Sequence, residues 1–369
     1  VNGVKGDFTL KQNGDTLSLV EEKYEVKNDS FEADAPLQLT KTAGVAIDTP
    51  NPDGGVAEIT AYNSDTHEAY VVDGQSGDLK IVPVKEDGTF GEAKSLSVEN
   101  LIEGFTYGDM TSVSVDTIHD RIAIALQAAD YAANGQAAVL DYDGNLIAHY
   151  EVGVQPDMVT FTKDGNKILT ADEGEPRNGY GEGTVDPAGS VTVIEPDKES
   201  DNVVTLGFDK FTADNLTQDH ILLNKVNGTT VDPKTDLEPE YIAVNDKGTK
   251  AYVSLQEANA IAVVDLTKNE ISEIKSLGFV DFSKEENAID LIADDQYDAK
   301  TYPDTYGVRM PDGISLYEKD GKTYLLTTNE GDSREWGEED SSQYFSNEKK
   351  VTVVAADQTK AKKVRALDP

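Results

Sequence analysis

Along most of the chain, short runs of β-branched and aromatic residues alternate with turn residues. PDMVTFTKDGNKILTADEGEP, residues 156–176, reads as a strand, a tight turn, a second strand and a burst of acid. The same order returns from 239 in PEYIAVNDKGTKAYVSLQEAN and from 311 in PDGISLYEKDGKTYLLTTNEGD. Val, Ile, Thr and Tyr suit a pleated, half-buried backbone, and Asp-Gly and Lys-Gly steps suit tight turns. GSVTVIEP follows the first copy, and AIAVVDL with ISEIKSLGF follows the second, which adds a third and a fourth strand. Two earlier copies lie in AEITAYNSDTHEAYVVDGQSGDLKIVPV and in MTSVSVDTIHDRIAIALQAAD with GQAAVLDYDG. Repeated four-stranded units predict an all-β fold, a β-propeller of four-stranded blades. Radial repetition leaves only short, protected sheet edges, which is a physical reason for the pattern to recur.

The spacing supports one unit. Sixteen positions separate Asp157 from Glu173, and also Glu240 from Gln256. The starts near 58, 111, 157, 240 and 312 are uneven and imply two large insertions, DKFTADNLTQDHILLNKVNGTTVDPKTDLE and DFSKEENAIDLIADDQYDAKTYPDTYGVRM. The first part of each has helical spacing of apolar residues, as at Phe211, Leu216 and Ile221, so short helices are expected there. Residues 1–35 read as an N-terminal arm with a hairpin across Asn13-Gly14 and a linker, and residues 36–369 as the propeller. The stretch LQLTKTAGVAI is a strand candidate able to complete a blade.

Asp and Glu number 70 against 32 Lys and Arg, a formal net charge of −38 spread along the chain. That charge repels nucleic-acid phosphate and anionic lipid, so neither is expected as a partner. It attracts hard divalent cations, calcium above all, because these favour carboxylate and carbonyl oxygen. There is no Cys, which excludes disulfides and thiolate zinc sites, and with only four His no multi-histidine centre is expected. No run approaches the roughly 18 apolar residues of a membrane helix, so no membrane insertion by this chain is expected. The composition suits a protein that is secreted or held at the bacterial cell surface.

The first acid of each unit, Asp157, Glu240, Asp312 and the candidate Glu58, falls where the innermost strand begins, so these are expected as channel-mouth carboxylates. A strand of about five residues spans roughly 17 Å, so the cluster after the second strand returns to the same face. No linear calcium loop is present. A calcium site would be assembled from separated loops, and the expected metal ligands are Glu173, Glu175, Asp186, Glu330 and Asp332. Glu257 is expected on the same rim. Arg177 and Arg334 stand beside these acids, either as ion-pair partners or as forks for an anionic ligand. Trp336, the only tryptophan, is a blade-edge ring or a ligand platform.

At GVQPDMVTFTKDGNKILTADEGEP, LEPEYIAVNDKGTKAYVSLQEANAIAVVDL, RMPDGISLYEKDGKTYLLTTNEGDSREW and GGVAEITAY, the chain resembles the choice-of-anchor I family, over roughly residues 40 to 345. These are bacterial surface propellers related to mesenchyme-specific cell-surface glycoproteins. The resemblance implies a secreted seven-bladed propeller of the YVTN type, tethered by varied anchors or fused to metallophosphatase or 5′-nucleotidase domains. It carries over no catalytic set. Only five repeats are visible here, so the C-terminal blades are expected outside this chain, with a separate C-terminal segment as one partner. Two functions stay open. One is a calcium-binding interaction or adhesion module for cell-wall, surface-layer or other extracellular macromolecules. The other is a calcium-dependent phosphoesterase, of alkaline phosphatase, phytase or nucleotidase type, with Arg177, Arg334 and Glu330 as catalytic candidates.

Overall fold

The structure, a computed structural model, describes residues 43–45, 57, 59–291 and 296–348 in full. It gives the backbone strands alone around residue 58 and at both ends. Near the N-terminus β1 (Phe8–Asn13) pairs antiparallel with β2 (Thr16–Glu21). Asn13 sits opposite Thr16, so the hairpin closes one residue later than the Asn13-Gly14 step. β3 (Ala35–Gln38) lies on the other side of β1. The strand expected in LQLTKTAGVAI therefore belongs with the N-terminal hairpin and not with a blade. The expected linker between them lies outside the described residues.

Four complete blades follow, each an antiparallel meander of four strands in chain order. The first is β4 (Ala57–Asn63), β5 (Glu68–Asp73), β6 (Asp78–Pro83) and β7 (Lys94–Ser97). The second is β8 (Tyr107–Asp116), β9 (Arg121–Ala128), β10 (Asn134–Leu140) and β11 (Leu146–Val154). The third is β12 (Pro156–Phe161), β13 (Ile168–Asp172), β14 (Ser190–Ile194) and β15 (Val203–Gly207). The first insertion then runs through α1 (Ala213–Gln218), β16 (Lys225–Val226), β17 (Thr229–Thr230) and α2 (Pro233–Asp236). The fourth blade is β18 (Pro239–Val244), β19 (Lys250–Leu255), β20 (Ala260–Asp265) and β21 (Glu270–Ser276). The second insertion holds the short pair β22 (Val280–Asp281) and β23 (Tyr306–Gly307) and one 3-10 turn, Glu285–Asn287. The helix expected there is absent among the described residues. The fifth unit is a hairpin, β24 (Pro311–Lys319) with β25 (Lys322–Asn329). Beyond it come the small pair β26 (Glu335–Trp336) and β27 (Phe345–Ser346), then β28 (Glu348–Val354) paired with β29 (Ala361–Leu367).

The inner strands β4, β8, β12, β18 and β24 contact one another in that order, the radial arrangement of a β-propeller. The core lies between blades. Strand alternation sends Ile122, Ile124 and Leu126 toward the first blade, against Tyr70, Val72 and Leu79. It sends Ala123 and Ala125 toward the third, against Val159, Phe161 and Ile168. Leu169 and Ala171 then meet Ile242, Ala251 and Val253 of the fourth blade. Because both sheet faces are covered, interior strands read as continuous apolar runs. On the face opposite the acidic rim, Asp116 and Arg121 tie blades together. Arg121 Nη2 donates to Asp116 at 3.1 Å and to the Gly165 carbonyl at 2.9 Å.

Candidate functional site

All five inner strands carry a β-bulge at their entry, and in the last three the ladder skips between Pro156 and Met158, Pro239 and Ile242, and Pro311 and Ile314. The residues lifted out of the ladder include Asp157, Glu240 and Asp312. A bulge re-aims a side chain, which is why these carboxylates depart from the alternation of their strands. Ser254 supports the second bulge, since Tyr241 N donates to its Oγ at 2.9 Å and its Oγ donates to the Asp312 carbonyl at 3.0 Å.

Glu173 arrives from the end of β13. The residue before it, Asp172, is fully buried and accepts from Thr170 Oγ1 at 2.7 Å, Ser190 Oγ at 2.9 Å and Thr192 Oγ1 at 2.7 Å. Burial pushes its pKa up to about 6. Gln155 holds the segment after Glu173, donating through Nε2 to the Glu175 carbonyl at 2.9 Å. Carboxylate oxygens of Asp157, Glu173 and Glu240 converge within 4.8 Å of one another. Two unit charges at that separation repel by about 3 kcal/mol at an effective dielectric of about 20. Burial first, then the neighbouring carboxylates, raise Glu173 and Glu240 well above the ordinary range. Arg177 lies 2.9 Å from Glu175 and 3.7 Å from Glu173.

A second set of acids adjoins the first. Asp236 and Glu238, from the segment that enters β18, face Arg334 Nε at 3.5 and 3.6 Å. Arg334 is 1% exposed, and its Nη2 donates to the Asp236 carbonyl at 2.7 Å. Glu257 is buried beside them, and burial lifts its pKa to about 7 against the opposing pull of Arg334. Glu238 Oε2 and Glu257 Oε2 are buried and accept no hydrogen bond among the described residues. One buried guanidinium therefore faces three buried carboxylates, an imbalance that protons or a further cation must offset.

The two acidic loops expected on the rim zip together. Tyr180 N donates to the Gln343 carbonyl at 2.9 Å, Gly337 N to the Arg177 carbonyl at 3.1 Å, and Tyr180 packs edge-on against Phe345. A Cβ at Gly179, whose φ is +74°, would meet the Gln343 carbonyl oxygen at 2.0 Å. Gly179→Ala is expected to part the loops, read as faster proteolysis within 176–187 and 337–345 while the melting temperature of the blades moves little.

Of the expected metal ligands, Glu173 joins the three-carboxylate cluster, and Glu175 stands beside it on Arg177. Asp186 is half-buried on the Asp236 side, with its pKa pushed up to about 6 by burial. Glu330 and Asp332 are exposed, and neither is in the cluster. Asp312 is half-buried and outside it as well. The side chain of Glu58 lies outside the described residues. Trp336 is half-buried in β26, with its indole N–H buried and without an acceptor among the described residues. Sequence reasoning missed Asp236 and Glu238 as site residues. The alternation Asp-Leu-Glu-Pro-Glu over 236–240 was the available signal, since it sets three acids two positions apart at a strand entry.

A family model described as the Choice-of-anchor I domain matches residues 58–367. No curated protein matches the chain. Among solved structures, the β-propeller domain of Myceliophteria thermophila Cps50 (Swd1) is similar at 9% identity and a TM-score of 0.38, over 61% of this chain and 57% of that one. Kuenenia stuttgartiensis hydrazine synthase is similar at 13% identity and a TM-score of 0.35, over 73% of this chain and 80% of that one. A protein of unknown function from Bacteroides caccae is similar at 13% identity and a TM-score of 0.35, over 74% of each chain. No described helix is long and apolar enough to cross a membrane.

Proposed function

This chain belongs to the choice-of-anchor I domain family, and we propose that it is a surface-associated propeller that holds a divalent cation at its channel mouth. Its acidic rim then serves as an interaction or adhesion module toward extracellular macromolecules. The observation that carries the reading is the convergence of Asp157, Glu173 and Glu240 within 4.8 Å. Opposite ligands of a calcium ion stand roughly 4.6–5.2 Å apart, so one ion of that size fits three such oxygens, with water completing its shell. Glu238 Oε2 and Glu257 Oε2, buried and without a hydrogen-bond donor among the described residues, add a further demand for positive charge.

The strand registers support a site between the third and fourth blades. Pairing of Met110 with Leu126, Pro156 with Asp172, Pro239 with Leu255 and Pro311 with Asn329 makes Gln127, Glu173, Gln256 and Glu330 equivalent. The same registers make Thr111, Asp157, Glu240 and Asp312 equivalent. The junction of the second and third blades thus offers Thr111, Gln127 and Asp157, and that of the fourth and fifth offers Glu240, Gln256 and Asp312. Only Asp157, Glu173 and Glu240 give three carboxylates at a described junction.

A phosphoesterase needs a guanidinium free to clamp an anion. Arg334 is buried against Asp236 and Glu238, and Arg177 stands on Glu173 and Glu175, which favours the binding module. Native mass spectrometry with calorimetric calcium titration tests the reading. One calcium per chain is expected at the junction, lost in Asp157→Asn, and Gln256→Glu is expected to add a second. Equal binding by the wild type and Asp157→Asn would sink the proposal, and chelator-sensitive hydrolysis of phosphate esters would restore the hydrolase reading.

A further inference from the structure

The fifth blade stands apart from the other four. In the complete blades the second strand is an interior strand, and β9, β13 and β19 are almost wholly buried. Its counterpart β25 is exposed at Lys322, Thr323, Tyr324, Leu326, Thr328 and Asn329, and among the described residues it pairs only with β24. Leu326 is 57% exposed and Tyr324 48% exposed, on a strand whose other face packs Leu325 against the fourth blade. An edge with unpaired backbone groups and exposed apolar side chains is a template for another strand.

The chain carries a matching strand. Val351-Thr352-Val353-Val354 followed by Asp357 repeats Val191-Thr192-Val193-Ile194 followed by Asp197, the third strand and turn of the third blade. The corner loops that precede the two segments are of similar length and are the two loops zipped together over the rim. β28 and β29 also form an antiparallel hairpin, as third and fourth strands must.

We infer that the free edge of β25 is the docking surface for β28 of the same chain, which gives the fifth blade the order β24-β25-β28-β29. The register follows from the third blade, where Asp172 faces Ser190 and Ala171 faces Val191. Transferred, Asn329 faces Lys350, Thr328 faces Val351 and Leu326 faces Val353. The loop carrying Arg334 is then a blade corner held at both ends, which keeps its guanidinium seated over Asp236 and Glu238.

The chain has no Cys, so engineered pairs report cleanly. Facing residues of antiparallel strands lie about 4.5–5.5 Å apart at Cα, within disulfide reach. Thr328→Cys/Val351→Cys is expected to form a disulfide within one chain under mild oxidation, and the displaced pair Thr328→Cys/Val354→Cys is not. A disulfide found only in dimers would assign the edge to a second copy and overturn the inference. So would two thiols that stay free in the folded protein. Hydrogen exchange on the unmodified chain gives an independent reading. A contiguous protected run over residues 323–329 is expected. Alternation of protected and unprotected amides, the signature of an edge strand, would overturn the proposal.

Discussion

Glu240→Gln is expected to reverse the order of stability between calcium and chelator. Burial and then Glu173, Glu257 and Asp157 hold the Glu240 carboxyl well above its ordinary value. A carboxylate raised in this way contributes stability that is complete below its unfolded pKa, near 4.5. That contribution is lost as pH climbs through the folded value. In chelator the wild type loses it progressively toward alkaline pH, whereas the neutral Gln removes the repulsion, so the variant melts higher. Calcium changes the order. At a hundred times its dissociation constant, calcium adds about 2.7 kcal/mol to a chain that binds it only when folded. A centre reduced to Asp157 and Glu173 loses most of that gain, so in calcium the wild type melts higher. The check is a pair of melting curves for each protein at pH 8, with calcium and with chelator. Equal calcium shifts in the two proteins would place the ion elsewhere. The ion would also staple blades, because Asp157 and Glu173 come from the third and Glu240 from the fourth.

The fold was legible because its determinants are local. Runs such as ILTAD and AIAVVD, bounded by turn residues, mark strands covered on both faces, and repetition of the unit announces the blades. The bulge acids were legible as positions, since each opens an inner strand. Their grouping was not. The sequence joins Glu173 with Glu330 and Asp332 by likeness of motif, whereas the structure joins it with Asp157 and Glu240. A bulge turns a side chain off its strand face without altering the residue pattern, and inter-blade register is a long-range property. Arg334 meets Asp236 across 98 positions, from a corner loop to an insertion, and no local rule carries that contact. The helical spacing around Leu216 gives only the six residues of α1. So short a helix draws its stability from the burial of Leu216 and not from propensity.

Arg334→Met is expected to cost the protein about 3–5 kcal/mol, the range for removing one partner from a buried ionic set. Met retains much of the packing volume but removes the donor to the Asp236 carbonyl and the guanidinium beside Asp236, Glu238 and Glu257. The pH dependence separates charge from packing. Burial raises all three acids, and Arg334 opposes that rise. Without it their folded pKa values climb further, so more stability is lost as pH rises through them. Near pH 5 Glu257 is largely protonated in either protein, and the deficit of the variant is at its smaller end. Above the value of about 7 held by Glu257 in the wild type, the deficit opens and grows with pH. Urea unfolding at pH 5 and pH 8 reads this directly, as a gap that widens with pH. Arg334→Lys, which keeps the charge but lacks the planar fork, should recover part of the pH-dependent loss and little of the remainder. A deficit of the same size at both pH values would make Arg334 a packing residue, and the neighbouring carboxylates would then be neutral in the native protein.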